Sequence, residues 1–253
     1  MKFLLKFFLV FGIILLLAGI IAWQAPAKWL VTRVNLPQKD IQYARVTGKI
    51  RNGMAHDVQW HDLLLSDIKW DFKALNQFWP PFTTWLVTGE GPDYNMSALA
   101  EFESDSLRRL RFVQGELPAA WVDLSEEVPL LFLGGRLVVN LDYLELKWGS
   151  SGLASGSIQW KDAAFTGLFE ENLGDININI EWVDKATRLY FQSTQVRNIM
   201  LEGEASLTAR RYNVLLILHT TEKKHYVIEQ LAHLGEIQAD GSLHIVWSGK
   251  MRR

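Results

Sequence analysis

The chain has 253 residues, of which 49% are hydrophobic and 21% charged, and its net charge is -2. A near-neutral chain without a block of like charge offers no electrostatic footprint for nucleic acid, which is excluded as a partner. The absence of cysteine excludes a disulfide framework, thiol catalysis and thiolate metal sites together, while fitting any redox compartment.

The N-terminus opens with Lys2 and Lys6 and no acid, then runs without a charge from Phe7 to Trp23. At about 1.5 Å per helical residue that run spans about 26 Å, enough to cross a bilayer while Lys6 snorkels. Residues 6–23 are therefore expected to form a transmembrane helix carrying Phe7, Leu16, Ile20 and Trp23 as membrane-anchor residues, with Trp23 and Trp29 near the far interface. A cleaved signal peptide is the rival, because Ala25-Pro26-Ala27 resembles an A-x-A site; the long apolar run and Pro26 inside the site favour a retained anchor. Either way the bulk of the chain lies outside the cytoplasm. Residues 1–5 become a cytoplasmic tail, 24–40 a linker, and 41–253 a β-rich domain.

Strand patterns dominate that domain. The stretch from Val46 to Trp70 has bends at Gly48 and Gly53 and a strand expected from Asp62 to Trp70. Next, "DFKALNQFW" predicts a short helix stopped by Pro80-Pro81. In "RLVVNLDYLELKW" the apolar parity changes between Asp142 and Tyr143, which predicts a bulge or tight turn there. Strands are also legible at Ser157–Trp160, Arg188–Gln192, Leu201–Leu207, Tyr212–His219 and Ser242–Trp247. "DININIEW" alternates fully: Ile176, Ile178, Ile180 and Trp182 share one face, a candidate core face or hydrophobic groove wall, opposite Asn177, Asn179 and Glu181. "KKHYVIEQLAHLG" predicts a helix with Tyr226, Leu231 and Leu234 near one face and Gly235 as its stop. Three stretches starting at Gly48, Gly156 and Gly235 begin Gly-x-Ile and close an apolar alternation on Trp70, Trp182 and Trp247, a loose repeat.

Chemistry-bearing patterns are weak. The tandem His56-Asp57 and His61-Asp62 puts its histidines on opposite faces of a continuous strand, so a metal site needs an intervening turn. Of His225 and His233, eight apart in the expected helix, one reads as a surface residue rather than a ligand. "SGLASGS" is not a nucleophile elbow, "GEGPDY" lacks the last glycine and the long helix of a dinucleotide fingerprint, and Glu126-Glu127 and Glu170-Glu171 read as solvated faces. No catalytic residue, cofactor or metal is assigned, and the chain is not expected to be an enzyme.

With these residues in hand, the chain resembles the type II secretion system protein N family. The likeness lies in the N-terminal apolar segment followed by Ala25-Pro26-Ala27, the stretch Val46–Ala55, Leu64–Trp70 with its late Trp, "ARRYNVLLIL", and the closing "LAHLGEIQADGSLHIVWSGKM". It implies a single-pass protein of the cell inner membrane, N-terminus cytoplasmic and domain periplasmic, serving as an accessory or assembly subunit of the secretion platform. Its partners are then other inner-membrane secretion components and the lipid bilayer. That family is in turn associated with the AsmA-like group, whose members look like curved β-sheets linked to lipid movement, so a lipid-guiding module with phospholipid as ligand is the alternative. The expected fold is mainly β: a transmembrane helix, then an extended, curved antiparallel sheet, AsmA-like or sandwich-like, with one or two short helices.

Overall fold

The computed structural model describes residues 24–28, 41–60, 63–77, 82–103, 106–122, 131–145, 153–167, 169–208, 210–220 and 226–250. Almost all of them are in antiparallel strands. Two units divide the chain: unit 1 takes residues up to Pro92 together with Phe102–Ser106, and unit 2 takes Asp93–Glu101 and the chain from Leu107 onward.

Unit 1 holds β1 (Ile41–Gln42), β2 (Arg45–Lys49), β3 (Asn52–Trp60), β4 (Leu63–Gln77) and β5 (Phe82–Glu90). β1 and β2 both lie along one edge of β3, and β4 and β5 follow on its other side. The helix expected over "DFKALNQFW" is corrected here, because Asp71 to Gln77 continue β4 and pair with β5 from Asp71↔Leu86 to Gln77↔Phe82. Two register shifts, between Phe72 and Ala74 and between Leu75 and Gln77, each insert one extra residue on β4. Phe72 and Leu75 thus sit two ladder steps apart although they are three positions apart in the sequence. Bulges stretch the strand period from two to three, and a period of three imitates a helix.

Unit 2 holds β6 (Asn95–Glu103), β7 (Ser106–Pro118), β8 (Leu131–Glu145), β9 (Ala154–Gly167), β10 (Glu171–Val183), β11 (Ala186–Val196), β12 (Ile199–Leu207), β13 (Arg211–Thr220), β14 (Glu236–Ile237) and β15 (Leu243–Lys250). From β7 to β12 each strand pairs with its sequence neighbours; β13 pairs with β12 and β15, and β14 closes on β15. The parity change read at Asp142 is a bulge: against β9 the register shifts between Leu141 and Tyr143. Gly156 stands opposite Leu141 with φ of +136°, and a Cβ there would lie 2.4 Å from the Asn140 carbonyl oxygen. Only glycine accepts both the backbone angle and the approach.

A short helix, Tyr226–Leu231, follows β13 and passes into a 3-10 turn, Ala232–Leu234. Six residues cannot hold a helix in water on their own, so packing must. Its buried stripe is Val227, Ile228 and Leu231; of the expected face, Leu231 is buried and Leu234 packs against the core, whereas Tyr226 is exposed. Gly235 ends the turn in extended backbone.

The three Gly-x-Ile stretches occupy different settings. Gly48 precedes the β2–β3 turn, Gly156 lies within β9, and Gly235 precedes β14.

Candidate functional site

The most extensive feature of unit 2 is an apolar sheet face. Residues directly opposite in antiparallel strands share a face. One row runs Leu137, Trp160 and Ile176. The next runs Val139, Ile158, Ile178 and Phe191, then through Gly203 and Leu216 to Ile245. A third runs Leu141, Gly156, Ile180 and Leu189, then through Ala205 and Val214 to Trp247. Ile176, Ile178 and Ile180 are all buried in one continuous cluster, while Trp182 is half-buried opposite Thr187. Each such side chain contributes about 1.5–3 kcal/mol by leaving water. Among the described residues of unit 2 the strands form one hydrogen-bonded ladder. Val227, Ile228 and Leu231 of the helix join the cluster on its apolar face.

Hydrogen bonds fix that helix to the sheet. The Tyr226 hydroxyl lies 2.7 Å from the Glu170 carbonyl oxygen and 2.8 Å from the Glu171 carboxylate, two acceptors that share its one proton. Glu171 is buried and also accepts from Asn198 Nδ2 at 3.3 Å. The bond to Glu171, then desolvation, pushes the Tyr226 phenol above its usual range, because ionising it destroys the donor beside a carboxylate. Edge-to-face ring contacts continue from Tyr226 through Phe169 and Phe165 to Trp160. Trp160 in turn donates its indole N–H to the Gly134 carbonyl at 2.7 Å.

The charged groups form pairs. Glu101, buried, faces Arg111 at 3.5 Å and Arg109 at 3.9 Å. His56 Nδ1 meets Asp67 Oδ1 at 2.9 Å across β3 and β4. Asp240 is held below its usual range by the Ser242 hydroxyl and backbone N–H that donate to it, which defines a turn. Among the described residues no three histidines or carboxylates converge as a metal cluster. His61 and Asp62, the second half of the expected tandem, lie outside the described residues.

In unit 1 the chain that follows the apolar segment is clasped to the sheet. Ile50 N donates to the Ala25 carbonyl at 2.9 Å, Pro26 bridges Lys49 in antiparallel fashion, and Lys49 Nζ bonds Gln24 Oε1. Ala27 is 0% exposed and, together with the Trp70 ring, fills the space over Gly53, where an added Cβ would meet the ring at 2.5 Å and the Ala27 methyl at 3.0 Å. Trp70 donates its indole N–H to the Ile50 carbonyl at 3.0 Å, and Phe72 N donates to the Arg51 carbonyl at 2.7 Å. The stretch from Val46 to Trp70 thus forms three strands that grip residues 24–28.

The expected anchor residues Phe7, Leu16, Ile20 and Trp23 lie outside the described residues. Among the described residues no helix is long and apolar enough to cross a membrane. Sequence reasoning missed the clasp and the Val227 and Ile228 contacts, since each joins segments far apart in the chain. The one available signal was the Gly53 and Trp70 pairing of a small and a large residue, which is also common in ordinary strands.

A family model described as type II secretion system (T2SS), protein N matches residues 39–246 of the chain. No curated protein and no solved structure matches it.

Proposed function

We propose a function from one premise: the chain belongs to the type II secretion system protein N family. It is a component of that machinery. Our reading is that it serves the inner-membrane platform as an accessory or assembly subunit, crossing the membrane once through residues 6–23 with its N-terminus cytoplasmic and its strands in the periplasm. The family match carries this reading, and the uncharged run from Phe7 to Trp23 supports its topology. Partner binding needs an open surface. Among the described residues β14 covers β15 only at Leu243 and His244, which leaves Ile245–Lys250 with one uncovered edge, and Val246 there is 67% exposed. Such an edge takes a partner strand by main-chain bonding. Purification of the tagged full chain from mildly solubilised membranes is expected to bring down platform components, less so with Val246→Lys, and deletion is expected to reduce exoprotein release. Recovery of no platform component together with unchanged release overturns the role.

A second reading is a lipid-guiding module. The observation that favours it is the continuous apolar face running from β8 to β15 within one ladder among the described residues of unit 2. Co-purifying phospholipid, measured by mass spectrometry and lost on Ile178→Asp, is the expected result; a lipid-free protein overturns it.

A further inference from the structure

The tip of the β2–β3 hairpin gathers cations. Lys49 and Arg51 are exposed there, and Lys28 is exposed farther along the clasped segment. Among the described residues none of the three stands within ion-pairing distance of an acid; the nearby Asp71 is taken by Lys73 at 2.7 Å. We infer that this tip binds anionic phospholipid headgroups of the bilayer that holds the chain's own apolar segment, an inference that rests on the membrane-anchored reading above.

Direction and distance carry it. Because Pro26 bridges Lys49 antiparallel to β2 and Ala25 accepts from Ile50, falling residue numbers run toward the tip and past it. Gln24, bonded to Lys49, is the residue directly after Trp23, where the uncharged run ends. One or two residues of chain, at about 3.5 Å each, separate the cations from the expected interface, about the Debye length of 8 Å at physiological salt. At that range each Lys or Arg near an anionic leaflet shifts the docked-to-undocked ratio roughly fivefold, and two shift it about 30-fold. Lys49 spends one of its three donors on Gln24 and keeps two for phosphate oxygens. The clasp supplies the alignment: Ala27 buried against Gly53 holds the exit point against the tip.

The chain has no cysteine, so Asn52→Cys places a single fluorophore at the tip of the full chain. In lipid nanodiscs with a headgroup-borne quencher, quenching is expected in phosphatidylglycerol-containing discs at about 50 mM salt and is expected to fade at about 0.5 M. Lys49→Gln with Arg51→Gln is expected to abolish it at an unchanged circular-dichroism spectrum, whereas Lys185→Gln leaves it intact. Equal quenching in phosphatidylcholine discs, or quenching that survives the double substitution, overturns the headgroup surface while the anchor stands. Loss of the chain from discs of both compositions overturns the anchor, and the headgroup surface with it.

Discussion

Single side chains decide the two attachment points. At Gly53 an added methyl meets both the Trp70 ring and Ala27, so Gly53→Ala is expected to cost about 1–3 kcal/mol through overpacking and to lower the thermal midpoint of the full chain. Trp70→Phe keeps most of the packing and removes only the bond to the Ile50 carbonyl; a smaller loss, about 0.5–1.5 kcal/mol, is expected in the same melt. Tyr226 is a titration probe. Its folded pKa is raised above the unfolded value, so the stability it contributes is fully present below the unfolded phenol pKa and is lost as pH rises through the folded one. Denaturant melts above neutrality are expected to show this alkaline loss, and Tyr226→Phe is expected to flatten it while lowering stability at neutral pH.

At the scale of elements, the helix Tyr226–Leu231 is held by what lies under it. Leu231→Ala removes a fully buried side chain and is expected to cost about 2–5 kcal/mol, with faster proteolysis around residues 226–234 as the measurement that separates helix release from global unfolding. Much of this level was legible beforehand. Alternation from Ile176 to Trp182 located β10 because a half-buried strand leaves that trace, and the parity change at Asp142 located the β8 bulge because one extra residue flips every later side chain. The same physics concealed β4, where two bulges close together erased the alternation on which the reading depended. The helix was visible, and Leu231 and Leu234 lie on its core side as expected, whereas Tyr226 spends its ring on Phe169 and its hydroxyl on Glu171.

At the scale of the whole molecule, family and strand-rich architecture were readable from composition and short motifs, whereas the clasp was not, since nothing local to Ala25 announces Ile50 as its partner. Intact mass of the full chain from membranes is expected to retain residues 1–27, because the folded strands hold Ala25 to Ala27 in place; a mass starting at Lys28 contradicts this. The strand order has its own consequence. Since every strand from β7 to β12 bonds to the strands just before and after it, a chain that emerges N-terminus first can complete each pairing as soon as the next segment appears, with no stretch waiting on a remote mate. Loop closures stay short, which favours quick assembly and leaves few sticky intermediates.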